Sequence, residues 1–269
     1  MGKHDREFSK EHARFLSCLK MNRRLVFISQ IMVLISFFAL WEIASRIGWI
    51  DSFIFSRPSR MINTMLNMAA SGELFRHIFI TTGETIAGFL LSTILGTFIS
   101  IFLWWNKFVR DVSNPFIVIF NSLPKTALAP IIIVWLGNNI NAIIATAIMI
   151  SVVVTILNVL TGFLQVETDK IKLAQTFGAT KLQILKKVII PASIPSIINA
   201  LKVNVGLSFV GVIVGEFLVA QSGLGFLIMY GSQVFRMDMV MLSIVILCIL
   251  AALLYQLIII LEKRFLNWS

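Results

Sequence analysis

Apolar residues in this chain come in long unbroken blocks, and polar residues collect in the connections between them. Six blocks stand out, at 25–45, 78–103, 115–136, 140–162, 196–219 and 240–261. Each holds about 20 residues or more, enough for an α-helix rising ~1.5 Å per residue to cross a hydrocarbon core of roughly 30 Å. None shows the strict alternation of a membrane β-strand. The pattern predicts an all-α integral membrane protein with six transmembrane helices. Two connections are long. In 46–77, Ser56-Arg57-Pro58-Ser59 precedes Met61, Met65, Leu66 and Met68 at helical spacing, as in a short amphipathic helix lying in the membrane interface. The other, 163–195, carries more local signals.

Composition agrees with the blocks: the chain is 58% hydrophobic and 13% charged, against about half apolar and a quarter charged in a soluble domain. A net charge of +10 would suit a nucleic-acid binder, but its placement does not. With the connections assigned alternately to two sides, sixteen of the 23 Lys and Arg fall on the side of the N-terminus and five on the other, while Lys125 and Lys202 fall inside spans. Positive charge marks the cytoplasmic face, so both termini are placed in the cytoplasm. The basic residues then face anionic lipid head groups rather than nucleic acid. The segments are a basic cytoplasmic 1–24, an uncleaved first transmembrane helix 25–45, an extracytoplasmic loop 46–77, a five-helix core domain 78–262 and a cytoplasmic tail 263–269. Cys18 lies in the basic segment and Cys248 in an apolar block, so no disulfide framework is expected.

Residues 167–195 read ETDKIKLAQTFGATKLQILKKVIIPASIP. Thr168 and Asp169 suit the start of a first short helix, which Gly178 ends in the left-handed conformation. Thr180 with Gln183 has the spacing of a capping box for a second helix. Leu182, Leu185 and Ile189 give that helix an apolar face, with Lys181, Lys186 and Lys187 interleaved. Pro191 and Pro195 are expected to end it and re-aim the chain into the next span. The result is a helix–glycine–helix elbow at the cytoplasmic surface, with the small residues Ala174, Gly178 and Ala179 at its tip. Residue chemistry alone leaves two readings open: a knob for another protein, or a connector packed on its own bundle.

The elbow resembles the "EAA" coupling motif of binding-protein-dependent ABC importer permeases, which reads Glu-Ala-Ala, three residues, Gly-Ala, then a basic amphipathic stretch ending in Pro. It falls on Lys172-Leu173-Ala174, Gly178-Ala179 and Pro191, with Lys172 in place of the Glu and Leu173 in place of the first Ala. Further strings are similar to the nitrate/sulfonate/taurine/bicarbonate-type branch, over about residues 50–265. They are Thr82…Gly88-Phe89, Ser122-Leu123-Pro124…Ala129-Pro130…Trp135-Leu136-Gly137, Gly215-Glu216-Phe217 and Ser222-Gly223-Leu224-Gly225. The resemblance implies a six-span importer-permease (MetI-like) fold in a bacterial cell membrane, paired with a second permease copy around a central path. It implies a cytoplasmic ATPase dimer that holds ATP and magnesium, no cofactor on this chain, and an extracellular or periplasmic solute-binding protein. Lys172, Leu173, Ala174, Gly178, Ala179 and Pro191 would form the ATPase-coupling helix. The cargo would be a small anion such as a sulfonate, taurine or nitrate, or a thiamine-precursor pyrimidine.

Polar and small residues within the spans add detail. Gly88, Ser92, Gly96 and Ser100 recur every four residues, and Gly211 and Gly215 repeat that spacing. Such stripes let helices approach closely, and packing within the chain is favoured over a dimer contact. Charges inside spans are functional candidates. Glu84 lies about two turns into the second block, and Lys125 lies between Pro124 and Pro130, which should break helical hydrogen bonding there. Asn121, Ser122, Lys125 and Thr126 are therefore candidates for the wall of a path, with Glu84 and Glu216 as further path candidates; the alternative is that Lys125 pairs structurally with Glu84 or snorkels. Lys202 is expected to snorkel to the cytoplasmic side. Glu216 is assigned to an outer gate or to a hydrogen bond with the Ser222–Gly225 turn. No GxxxxGK[ST] loop, no metal-ligand spacing around His4, His12 or His77, and no facing nucleophile and base are visible, so no catalytic site is assigned. A secondary transporter or channel is the alternative, although the chain shows neither a repeated half nor coupling carboxylates across several spans.

Overall fold

A computed structural model describes residues 3–265, and among them every regular element is helical. The chain divides into two compact units, Met1–Asn63 and Thr64–Ser269. The first opens with α1 (Lys3–Ile47), whose segment Arg24–Ile47 is long and apolar enough to cross a membrane. Gly48, at φ +85°, follows its end, in the left-handed conformation that commonly closes a helix. Asp51 caps the single turn α2 (Ser52–Phe55) by accepting the Phe53 N–H at 2.8 Å. Glu42 fastens this corner, accepting the Ser59 N–H at 3.0 Å and Arg46 Nε at 2.6 Å. The helix α3 (Pro58–Ala70) begins on Pro58, where a missing N–H removes no helical bond. Met61 and Met68 are buried while Leu66 is exposed, so the apolar residues expected to form one lipid-facing stripe are split between two environments.

The second unit is organised on three long helices, α4 (Glu73–Trp105), α7 (Ile140–Leu164) and α11 (Ile194–Val219), with α7 packed along both others. Their approach is set by the small-residue stripes. A Cβ added at Gly88 would lie 2.8 Å from the Ala147 Cβ, one at Gly96 2.7 Å from Thr155 Cγ2, and one at Gly211 2.5 Å from the Ala147 Cα. Hydroxyls and an amide bridge the same seams. Ser100 Oγ donates to the Ile156 carbonyl at 3.1 Å, and Asn204 Nδ2 donates to Thr93 Oγ1 at 2.7 Å and Ser92 Oγ at 3.1 Å. The stripes are packing surfaces inside the chain. Two helices complete the unit, α12 (Leu224–Gln233) and α13 (Met237–Phe265), with α13 against α11 and α12. Lys202 Nζ lies 2.7 Å from Glu262 Oε2 at the polar end of α13, and both side chains remain partly exposed.

The third block is the main departure from the expected spans. A single helix over 115–136 is replaced by α5 (Lys107–Ser122), a 3₁₀ turn at Lys125–Leu128 and α6 (Ala129–Leu136), with an 88° bend across the break. Pro124 pushes Leu123 into extended backbone, φ −68° and ψ 142°, as proline does to the residue before it. Pro130 sits in the first turn of α6, where a missing N–H is harmless. Among the described residues, five helices are long and apolar enough to cross a membrane unbroken, and the bent pair reaches that length and apolarity only when its two halves are taken together, as a broken span or a re-entrant loop.

Candidate functional site

Chemistry-bearing residues gather at three places in the second unit. The first is the elbow after α7, built from α8 (Thr168–Thr176), α9 (Lys181–Ile184), a π-helical turn Leu185–Ile189 and α10 (Ile190–Ala192). Glu167, not Thr168, holds the N-cap position of α8, and its side chain makes no cap bond. Gly178 stands at φ +75°, donating to the Gln175 carbonyl at 2.9 Å, while the Ala179 N–H closes on the Ala174 carbonyl at 3.0 Å. Thr180 and Gln183 form the predicted capping box: the Gln183 N–H reaches Thr180 Oγ1 at 3.4 Å and the Thr180 N–H reaches Gln183 Oε1 at 2.8 Å. Pro191 does not end the helix. The π turn widens the helical ring just before it, and the chain stays helical to Ala192, with Pro195 in the first turn of α11. Redirection comes at Ser193, whose hydroxyl donates to the Gly162 carbonyl at 3.0 Å.

The elbow is held from beneath. Ile184, Leu185 and Ile189 are buried in one cluster with Val159, Phe163, Val166 and Ala200, and Ala174 and Ala179 are half-buried against it. Ala174 and Ala179 thus face the bundle, because their size lets the elbow sit down on its own core, while Gly178 is exposed with open space where a Cβ would stand. The tip belongs to Phe177, 83% exposed, and Leu173, 59% exposed. Lys172 stands beside them, with only a 3.6 Å exposed pairing to Asp169, a contact of little energetic weight. Sequence reasoning passed over Phe177, although a phenylalanine next to the glycine of a polar loop was a signal. Lys181 ties the elbow to the end of α4: its Nζ donates to the Trp105 carbonyl at 2.5 Å and lies 5.3 Å from the Trp105 ring and 5.9 Å from that of Trp104.

The second place lies at the opposite end of the same helices, roughly 30 Å along α4 by its rise per residue. Glu216, 1% exposed, accepts the Thr81 hydroxyl on Oε1 at 2.6 Å and the Gly225 N–H on Oε2 at 2.5 Å. Thr81 Oγ1 in turn accepts the Leu224 N–H at 2.8 Å, and His77 Nδ1 accepts the Gly223 N–H at 2.8 Å. The turn is glycine-rich because it wraps a carboxylate: a Cβ at Gly225 would lie 2.7 Å from Glu216 Oε2. The hydrogen bond foreseen between Glu216 and the Ser222–Gly225 turn is present; the partners Thr81 and His77 were not foreseen. Glu84, buried and side by side with Glu216, borders a cavity of about 330 Å³.

The third place is the broken span. Asn121, Ser122 and Thr126 are exposed, and Lys125 Nζ donates to the Asn121 carbonyl at 3.0 Å and to Asn121 Oδ1 at 3.3 Å. Ser122 Oγ donates to the Val118 carbonyl at 3.1 Å. The Glu84–Lys125 pair does not form, since Lys125 turns back on Asn121 at the end of α5 while Glu84 joins Glu216. Four of the path candidates therefore stand together at the break, and the two carboxyls stand together elsewhere. Among the described residues, no three His, Cys, Asp or Glu side chains cluster as a metal site would require.

A bundle of long apolar helices with a bent pair, an internally braced elbow at one end and a buried carboxyl pair at the other has the make-up of a polytopic membrane component. Residues 88–267 match the family described as the binding-protein-dependent transport system inner membrane component, and the chain belongs to that family. It is a multi-pass inner-membrane permease of the ABC importer class. It is 25% identical over 231 residues to the putative aliphatic sulfonates transport permease protein SsuC of Escherichia coli, covering 86% of this chain and 88% of that one. It is 30% identical over 188 residues to the formylaminopyrimidine transport permease protein ThiX of Halalkalibacterium halodurans, covering 70% and 74%. An inward-facing structure of the MetNI methionine ABC transporter superposes with a TM-score of 0.64 at 21% identity, over 71% of this chain and 95% of that one. That likeness shows the same fold.

Proposed function

We propose that this chain forms the translocation path for a small solute and receives the stroke of a cytoplasmic ATPase through the elbow at 167–195. The supporting observation is the elbow's construction: Phe177 and Leu173 project from a knob whose opposite side is locked into the core of α7 and α11. An exposed aromatic on a rigid, capped turn is the kind of anchor that carries protein–protein affinity, and a knob fused to the bundle passes its displacement to the spans. The residues predicted for coupling divide the work. Leu173 and Lys172 face the partner, Gly178 sets the turn, Ala174 and Ala179 seat the elbow, and Pro191 lies in the helical link to α11. ATP and magnesium belong to that ATPase, a solute-binding protein delivers cargo, and a second copy of this chain completes the path. Asn121, Ser122, Lys125 and Thr126 at the break are the wall, where unpaired backbone is tolerated beside a wet cavity. The cargo classes are those of the relatives, a sulfonate or an aminopyrimidine. The test is the purified complex of permease, ATPase and binding protein carrying Gly178→Asp. The coupling reading expects ATP hydrolysis no longer accelerated by the loaded binding protein; undiminished stimulation would discard it.

A further inference from the structure

The start of α12 is fastened at the end of the bundle opposite the elbow. A helix leaves its first N–H groups without partners of its own, and here three successive ones are taken by side chains of other helices. The Gly223 N–H donates to His77 Nδ1 at 2.8 Å, the Leu224 N–H to Thr81 Oγ1 at 2.8 Å and the Gly225 N–H to Glu216 Oε2 at 2.5 Å. Gly223 stands at φ +115°, and a Cβ there would run into the Glu216 carboxyl. The three acceptors answer acid differently. Thr81 does not titrate, and Glu216 keeps an acceptor oxygen whether or not it carries a proton. An imidazole accepts only when neutral; with a proton on each nitrogen it has no lone pair left for Gly223. His77 is half-buried and stacked on Phe226, with ring centroids 6.1 Å apart and planes 17° from parallel, which fixes the pose from which it accepts.

The charges around His77 are few. On α4 itself Arg76 repels an imidazolium and Glu73 attracts it. The helix α12 carries no Asp, Glu, Lys, Arg or His and presents Tyr230 behind Phe226. From α11 comes Glu216, engaged with Thr81 and Gly225 and side by side with Glu84. The positive end of the α12 dipole also opposes a cation at this place. We propose that His77 is a proton-operated pin, which holds the Gly223 turn to α4 when neutral and releases it when protonated, while Thr81 and Glu216 keep the rest of α12 in place. The bond is present above the titration of the imidazole and lost as the pH falls through it. The meaning of that release rests on the reading of the chain as a permease: this is the end away from the ATPase, where solute enters, so mild acid loosens the entrance without touching the elbow.

The test is hydrogen exchange of the full-length chain in lipid nanodiscs, without ATPase or binding protein, so its failure would leave the coupling reading untouched. Exchange of the peptide covering 220–226 is followed from about pH 7.5 to about pH 5, either side of the ordinary imidazole value of about 6.5, with labelling times scaled to the intrinsic exchange rate at each pH. The expected result is a rise of about tenfold on acidification, the share of one hydrogen bond, while peptides of α7 stay flat. The midpoint should coincide with the ring titration of His77 followed by NMR in the wild-type chain, whose other histidines are His4 and His12. His77→Gln, whose side-chain oxygen accepts an N–H at any pH, should remove the rise, and His77→Ala should exchange fast throughout. A flat wild-type profile, a midpoint away from the His77 titration, or a rise that persists in both variants would overturn the proposal.

Discussion

Replacing Phe177 by alanine removes the most exposed large apolar side chain of the elbow without touching its supports. A phenylalanine side chain presents about 200 Å², and Phe177 is 83% exposed. Complete coverage by a partner would therefore bury roughly 160 Å², or ~4 kcal/mol at about 25 cal/mol per Å². A groove that covers half of the ring gives ~2 kcal/mol, which is about a 30-fold weaker complex. The permease alone should be unaffected: no described hydrogen bond involves the ring, and the cluster that holds the elbow is formed by Ile184, Leu185, Ile189 and residues of α7 and α11. Surface plasmon resonance with the nanodisc-embedded chain immobilised and the ATPase flowed over it would read the affinity directly. A thermal melt of the same sample would control for folding. An unchanged Kd with an unchanged melt would refute the docking role of this tip.

Three further outcomes follow from the same geometry. Gly211→Ala puts a methyl 2.5 Å from the Ala147 Cα, so α7 and α11 must part, lowering stability by about 1–3 kcal/mol; Gly206→Ala, with nothing within 4 Å, should raise the melt slightly, since alanine favours a helix interior by about 1 kcal/mol over glycine, and equal melts for the two would contradict the packing. Lys181→Met cuts the tie to Trp105 and both indoles at an exposed site worth at most about 1 kcal/mol; ATPase affinity should hold while solute moved per ATP falls severalfold, and an intact ratio would mean that the tie carries no motion. Lys125→Ala should slow uptake with ATPase assembly intact, and unaltered uptake would remove the broken span from the path wall.

How much of this was legible in the sequence varies by element. Block length and composition fixed the long helices because a bilayer leaves the backbone little choice. The stripe of Gly88, Ser92, Gly96 and Ser100 was legible as a seam because residues four apart share a helix face. The capping box at Thr180 and Gln183 was readable for the same local reason. The break at Pro124 was readable as a disruption, but its 88° bend depends on what α5 and α6 pack against, which no local rule supplies. Non-local pairing was the least visible. Glu216 finds Thr81 across 135 positions and Lys202 finds Glu262 across 60, so neither partner follows from spacing. The side of the elbow taken by Ala174 and Ala179 was not legible for a similar reason. Small residues suggest close approach, but only the packed core under Ala174 and Ala179 decides whether the approach is to a partner or to the chain itself.

The most direct test of an ATP-driven import path is uptake into proteoliposomes holding this permease and its ATPase, with ATP inside and the loaded solute-binding protein outside. The expected result is accumulation of the solute against its gradient only when both are present, abolished when ATP is replaced by a non-hydrolysable analogue. Accumulation driven by an ion gradient with no ATP, the behaviour of a secondary carrier, would contradict it.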